Sequence, residues 1–352
     1  LLWKSIKNFA GVFDGGTHII TSLRLSGAGE GSFALFDSVY GATIKNLGVE
    51  SGYINFKSQR RGSVFIRSLT GGNVINCWNT VDITGGYGEV GGIVAYVLDG
   101  DKPAVIDNCY NSGNITGNSQ VDCYVGGILG TVWSEMRIKV TIRNCYNTGT
   151  ITVTSNERAG GILGGVNNNK DAPGLTIENC YNAGKISGTG GMAISGSTSQ
   201  HVVMNCYYDK DTSVRGDSKA TAFTTAQMKS WVAAYKLNEE TFDGVWKYNM
   251  GAYPTFGSLA PFDWEKAGEA LECGFLPADK TKPSGGGTPE NPYQIKDAEQ
   301  LAWFAYRVNS GTQPNACATL MNDINVTGTA YTGTSGASLP WIPIRNYSGT
   351  FG

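Results

Sequence analysis

Apolar and polar positions along this chain fall into one repeating phrase. From Gly160 to Ile186 a glycine-led apolar run, Gly160-Gly161-Ile162-Leu163-Gly164, gives way to a polar loop over 167–174. Leu175-Thr176-Ile177 then alternates as a strand does, Asn179-Cys180-Tyr181-Asn182 makes a bend, and Ala183-Gly184-Lys185-Ile186 turns into another strand. The phrase returns along the chain. Its Asn-Cys-aromatic triplet occurs at Asn76-Cys77-Trp78, Asn108-Cys109-Tyr110, Asn144-Cys145-Tyr146, Asn179-Cys180-Tyr181 and Asn205-Cys206-Tyr207. Glycine leads stand at Gly31, Gly62, Gly91, Gly126, Gly160 and Gly190, spaced 31, 29, 35, 34 and 30 residues apart. A faint first copy has Leu47 where the others have Cys.

A fixed period in this range means one structural unit stacked on itself. Short strands whose connecting loops vary in length predict a mainly β chain, a right-handed parallel β-helix or β-solenoid with small helical caps. Side chains at one repeat position then form ladders with a step of about 4.8 Å. The expected structural ladder comprises Asn76, Asn108, Asn144, Asn179 and Asn205, whose amides suit a bend, with Cys77, Cys109, Cys145, Cys180 and Cys206 beside them. Leu47 at the cysteine position argues for small, buried, free thiols. The aromatics that follow the cysteines are expected to stack on one another. Cys123, Cys273 and Cys317 lie off the ladder, and Cys273 with Cys317 is a candidate bridge.

Beyond Tyr208 the pattern changes. Thr224-x-x-Gln227 is a capping box, and Met228, Trp231, Val232 and Tyr235 follow at helical spacing. Prolines at 261, 277, 283, 289 and 292, with Ser284-Gly285-Gly286-Gly287, read as a linker. Asp297-x-x-Gln300 opens a second helix with Leu301, Phe304, Ala305 and Val308 on its apolar face, and 320–326 reads as a strand. The C-terminus then repeats the N-terminus. Leu339-Pro340-Trp341-Ile342-Pro343-Ile344-Arg345-Asn346-Tyr347-Ser348-Gly349-Thr350-Phe351 aligns with 1–13 at a constant offset of 338 residues. The expected organisation is a β-helix of about six rungs over 1–213, a cap with one helix over 214–258 and a linker over 259–292. A lead-in segment of the next repeat unit, helix plus strands, follows over 293–352. The chain opens in mid-pattern, so it is read as a piece of something longer.

The motif Gly-Gly-Ile-(Val/Leu)-(Ala/Gly) with a later Asn-Cys-Tyr-Asn-x-Gly-x-Ile resembles the GLUG-motif repeats of bacterial cell-surface, adhesin-like proteins. The copies at 91–95 with 108–115, 126–130 with 144–151, and 160–164 with 179–186 carry the resemblance. It implies a large secreted or wall-attached protein, sometimes linked to immunoglobulin-cleaving peptidases, and brings no catalytic residues with it.

Composition and chemistry agree with a recognition or structural role. The 352 residues include 49 glycines, only 16% are charged, the net charge is -2 and there is no basic tract, so nucleic acid is not an expected partner. No apolar run reaches the roughly 18 residues of a membrane span. His18 and His201 are the only histidines and neither sits in a nucleophile-elbow pattern, so no catalytic, cofactor or metal residue is assigned. Asp209-x-Asp211-x-Ser213 has oxygen-rich spacing but lacks the glycine and closing glutamate of a calcium loop, and is read as a polar turn. Arg215-Gly216-Asp217 is a candidate partner-binding tripeptide, of the kind that binds integrins from an exposed loop. Asp99, Asp101, Lys102, Glu157, Arg158, Lys170 and Asp171 are loop charges that could line a groove. The reading is a non-enzymatic, extracellular repeat protein at the cell surface. It would be a structural or adhesive segment that meets a surface glycan or protein and stacks head-to-tail on copies of itself. The alternative is a glycan-binding or glycan-cleaving β-helix resembling polysaccharide lyases.

Overall fold

A computed structural model describes residues 3–26, 33–56, 61–85, 88–117, 123–133, 138–153, 158–167, 171–188, 190–213, 215–240, 244–249, 251–256, 282–309, 313–324, 344 and 347–352. Strand accounts for 51% and helix for 7%, and the strands wind into a parallel β-solenoid of about five turns. The chain forms two compact units, Leu1–Thr225 and Ala226–Gly352.

The first unit is the solenoid. Its period is set by residues that meet their own counterparts one turn later. Ile83, Ile115, Ile151 and Ile186 pair in succession, as do Val74, Ile106, Ile142 and Ile177. All eight are 0–1% exposed. Burying one such side chain is worth about 2 kcal/mol, so the apolar stripe that marks each repeat is also what stacks it. A second, smaller parallel sheet runs through Arg61–Ser63, Glu89–Gly91, Tyr124–Gly126, Arg158–Gly160 and Gly190–Met192.

The glycine-led run is not the single strand that its apolar pattern suggests. Arg158–Gly160 and Leu163–Val166 are separate strands in different sheets, with the corner at 161–162. The corner has a steric cause. A Cβ on Gly161 would lie 2.3 Å from the Asn182 side chain and 2.4 Å from the Ala193 carbonyl oxygen.

Parallel stacking also runs past residue 213. Thr221–Phe223 pairs with Tyr207–Asp209, within the stretch expected to be cap. The expected single helix is two, Thr225–Met228 and Trp231–Leu237. Ser230 divides them with an extended backbone at φ -101 and ψ 165, while its hydroxyl donates back to the Gln227 carbonyl at 2.7 Å. Such local side-chain bonding competes with helix continuation.

The second unit has a small core of Tyr293, Ile295, Trp303, Phe304, Val308, Ala316 and Ala318. Strand Tyr293–Ile295 pairs in parallel with Ala318–Leu320, and helix Ala298–Asn309 lies between them in sequence. The helix starts as its capping box predicts, for Asp297 Oδ1 accepts the Gln300 N–H at 2.8 Å. The expected linker residues 282–292 are folded rather than extended, with Ser284 bridging Gln294 antiparallel. Residues 259–281, including Cys273, lie outside the described residues, as do 325 and 326 of the expected strand. The strand expected over 320–326 is instead found at Ala318–Leu320, and the described residues 321–324 are not strand.

Candidate functional site

The five bend asparagines are explained by backbone geometry. Asn76, Asn108, Asn144, Asn179 and Asn205 have φ of 56, 53, 50, 53 and 48. This left-handed region excludes most side chains and tolerates asparagine. Their amides form a partial ladder, in which Asn76 Nδ2 donates to Asn46 Oδ1 and Asn46 Nδ2 to Asp14 Oδ1, both at 2.9 Å. Asn144 turns instead to Asp107 Oδ1. The cysteines that follow are 0–2% exposed. Each thiol points at the carbonyl two residues back, from 3.4 Å at Cys77 to 3.0 Å at Cys145. Burial pushes the Cys77, Cys145 and Cys206 thiols well above their usual range, whereas the alternate thiols Cys109 and Cys180, buried too but each bonded by two neighbouring thiols, are held below it.

The aromatics stack. Tyr110 and Tyr146 have ring centroids 4.7 Å apart at 6°, Tyr146 and Tyr181 5.0 Å apart at 2°, and Trp78 and Tyr110 6.3 Å apart at 12°. Burial pushes the Tyr110 phenol up to about 12.

A second amide ladder is buried, and sequence reading did not single it out. Asn79 Nδ2 donates to Asn111 Oδ1 at 2.7 Å, Asn111 to Asn147 at 2.8 Å and Asn147 to Asn182 at 2.8 Å. The same nitrogens donate to the carbonyls of Val81, Gly113, Gly149 and Gly184. All four residues are 0% exposed. The signal was the fourth letter of Asn-Cys-Tyr-Asn. It shares the inward face with cysteine by strand alternation, and its polarity disguised it as a turn residue.

The solenoid's far end corrects the reading of Arg215-Gly216-Asp217. Asp217 is only 7% exposed. Its Oδ2 accepts the N–H groups of Ile194 and Ser195 at 3.1 and 2.9 Å, and its Oδ1 accepts the Lys219 N–H at 2.9 Å. In the four turns before it the equivalent pair of N–H groups donates to one isoleucine carbonyl of the following turn. Ile128 and Leu129 donate to Ile162 O, and Ile162 and Leu163 donate to Ile194 O. The Asp217 carboxylate replaces the carbonyl of a turn that does not follow. An acid so engaged is not presented to a partner on a loop.

The Asp209 loop is similarly occupied. Asp209 is 0% exposed, and its oxygens accept the Asp211 N–H and the Thr225 hydroxyl. Asp211 Oδ2 accepts the Thr225 N–H, which fastens the start of helix Thr225–Met228. Among the described residues no group of three or more His, Cys, Asp or Glu is placed to hold a metal ion.

Beside Asp217, Lys219 Nζ donates to Ser199 O at 2.7 Å and lies 3.1 Å from His201 Nδ1. Burial first, then the Lys219 charge, lowers the His201 pKa, and the imidazole is neutral. His18 stands in the first strand and is exposed. Three of the described loop charges have separate partners. Asp99 accepts the Ile138 N–H, Asp171 accepts the Gln200 N–H, and Arg158 lies 5.4 Å from the Tyr124 ring centroid. Glu157 and Lys170 lie outside the described residues.

Among the described residues, strand Val12–Ser26 pairs in parallel with Phe36–Asn55, and the Trp3 N–H donates to Arg24 O. Val12 is 69% and Ile19 46% exposed, while Ile6, Phe9, Phe13 and Ile20 are partly buried against the core.

Residues 86–116 match the GLUG motif. That stretch holds Asn108, Cys109 and Asn111, and strand pairing puts the two following copies in register with it. A crystal structure from Bacteroides ovatus described as "a putative immunoglobulin A1 protease" is similar over 69% of this chain and 76% of that one, with a TM-score of 0.50 and 20% identity. At that identity the likeness concerns the fold. No curated protein matches the chain. Among the described residues no helix is long and apolar enough to cross a membrane.

Proposed function

We propose that this chain is a non-enzymatic, extracellular structural or adhesive segment of a bacterial surface protein or filament. It would meet a surface glycan or protein through its loops and stack on adjacent copies through its ends. The observation that carries this reading is where the reactive and polar side chains point. The GLUG-repeat amides of Asn79, Asn111, Asn147 and Asn182 bond one another, the Tyr110, Tyr146 and Tyr181 rings face one another, and the ladder thiols are buried. Groups that could do chemistry instead hold a shaft together, and a shaft with variable loops suits display.

The test has two arms. The chain is assayed for peptide and polysaccharide cleavage, alongside a His201→Gln, Lys219→Met double variant. Turnover by the wild type that the variant lacks would overturn the non-enzymatic reading and favour one that the solved neighbour's name suggests. Retention on arrays of host glycans and matrix proteins is measured in parallel. Saturable binding to one class makes the segment adhesive, and no retention leaves it structural.

A further inference from the structure

Five thiols stand in one line through the solenoid. Tyr110 pairs with Trp78 and Tyr146, and Tyr181 pairs with Tyr146 and Tyr207, so the cysteine before each aromatic lies one turn from the next. Backbone bonds repeat this register. The N–H groups of Tyr146, Tyr181 and Tyr207 donate to the carbonyls of Cys109, Cys145 and Cys180 at 3.2, 3.1 and 3.0 Å. Three of the side chains lean back one turn. Cys180 Sγ accepts the Cys145 N–H at 3.4 Å, and the sulfurs of Cys109 and Cys206 accept the N–H groups of Cys77 and Cys180. Cys109 interacts with the thiols of both Cys77 and Cys145, and Cys180 with those of both Cys145 and Cys206. All five are free and 0–2% exposed.

In-register parallel strands hold neighbouring Cα atoms about 4.8 Å apart, inside the range of roughly 4.4–6.8 Å that a disulfide spans. Two turns are about 10 Å, which is beyond it. Each ladder cysteine can therefore reach the ladder cysteine of an adjacent turn and none further along the line. Five is an odd number, and that restricts the outcome. Two bonds between neighbours can be drawn in three ways: Cys77–Cys109 with Cys145–Cys180, Cys77–Cys109 with Cys180–Cys206, or Cys109–Cys145 with Cys180–Cys206. Cys109 and Cys180 take part in all three, and the sulfur left over is Cys206, Cys145 or Cys77. Cys109 and Cys180 are also the two thiols that their neighbours hold below the usual range, which makes them the nucleophiles of the line.

We infer that the cysteine line is a disulfide staple: given a low-molecular-weight disulfide such as oxidised glutathione, Cys109 and Cys180 each bond an adjacent ladder cysteine and so tie neighbouring turns together. The Cys109 or Cys180 thiolate attacks one sulfur of the reagent, forms a mixed disulfide and expels one thiolate. The neighbouring ladder thiol gives its proton to that thiolate, attacks the protein sulfur of the mixed disulfide and expels the second. One protein disulfide has formed, and the reagent has taken up the electron pair and become two thiols. The sulfurs are sealed in the folded core, so the exchange belongs to folding, while the turns are closing. Successive ladder cysteines are 32, 36, 35 and 26 residues apart, and closing loops of that size restricts the unfolded chain. The inference stands apart from the proposed function and holds for an adhesive and a structural segment alike.

Refolding of the full-length chain in a mixture of reduced and oxidised glutathione, then alkylation in denaturant and non-reducing peptide mapping, reads the bonds. The wild type gives two ladder disulfides per chain, drawn only from Cys77–Cys109, Cys109–Cys145, Cys145–Cys180 and Cys180–Cys206. Cys145→Ala keeps two, now as the single set Cys77–Cys109 and Cys180–Cys206. Cys109→Ala with Cys180→Ala keeps none, because the three remaining sulfurs are never neighbours. Oxidised Cys145→Ala melts about 5 °C or more above the same protein reduced. The inference is overturned by ladder thiols that all alkylate in the oxidised wild type, by a Cys77–Cys145 link, or by a ladder cysteine joined to Cys123. A Tm that oxidation of Cys145→Ala does not raise overturns it too. Should the double variant fail to fold, the maps of the wild type and Cys145→Ala decide the matter by themselves.

Discussion

The middle of the shaft and its far end are held together by opposite rules. From Asn79 to Asn182 like meets like: amide donates to amide, and tyrosine ring lies on tyrosine ring. From Gly190 onwards unlike groups close the stack. Tyr208 stands opposite Asn182, Phe223 lies 4.9 Å from Tyr207, and the Asp217 carboxylate imitates a missing carbonyl. An amide carries both donor and acceptor, so one asparagine complements the same asparagine above and below. At the last turn no further copy satisfies the backbone, and each exposed donor needs its own partner.

The comparison breaks most severely if a middle position is made unable to repeat. Gly127 lies between the Gly161 carbonyl oxygen and the Asn147 side chain, 2.1 and 2.6 Å from where a Cβ would fall. Gly127→Leu is expected to cost more than about 3 kcal/mol in urea unfolding, since backbone on an adjacent turn cannot yield as a side chain would. A loss below about 1 kcal/mol would mean that adjacent turns slide freely and that the close packing is incidental.

Next comes the ladder. Asn147→Leu removes the acceptor for Asn111 and the donor for Asn182 and Gly149. Asn111 keeps Gly113 O and Asn182 keeps the Gly184 N–H, so the loss is expected near 2–3 kcal/mol rather than more. Asn147→Leu with Asn111→Leu and Asn182→Leu should cost less than the sum of the three, because each change removes a partner the others would strand. Strict additivity would show that the amides act separately.

These two positions also mark how far the sequence could be read. The stacking direction, the bends at Asn76 to Asn205 and the tyrosine stack follow from one rule, that a residue recurring at a fixed period meets itself. Asn111, Asn147 and Asn182 obeyed the rule and were still missed, since a polar letter after an aromatic reads as a turn until alternation places it inside. Asp217 obeyed no rule visible in one dimension. It acts once, at the end, on Ile194 and Ser195 more than 20 residues away. Its place beside Arg215 and Gly216 gave a plausible surface motif for a buried carboxylate. Apolar continuity in the glycine-led run suggests one strand and does not reveal the corner at 161–162.

The far end is sharpened by Asp217→Ala, which removes the acceptor of three N–H groups, those of Ile194, Ser195 and Lys219, and is expected to cost about 2 kcal/mol. The effect should be local. Amide exchange at Ile194 and Ser195 should accelerate while exchange at Ile128 and Leu129 keeps its wild-type rate. Asp217→Asn retains an oxygen and should lose less than half as much. Uniform acceleration along the shaft would show that the end is not a separate closure and that the stack unzips as a whole.

The smallest effect is a pH dependence confined to the end. His201 has its pKa lowered from 6.5, first by burial and then by Lys219. Its ring sits 2.8 Å from Ser199 O and 3.1 Å from the Lys219 ammonium, with Asp217 as the opposing charge. The folded state prefers the neutral imidazole, so between the lowered pKa and 6.5 the unfolded chain binds more protons. Stability is then fully present above about 6.5 and declines as pH falls below it. The middle of the shaft has no histidine, so the difference between the wild type and His201→Gln belongs to the end. Urea midpoints of the wild type and His201→Gln, compared from pH 5 to pH 8, should converge at the acid side and separate towards neutrality. Parallel curves would mean that the ring is solvated in the folded state and that the closure at Asp217 and Lys219 is looser than the distances state.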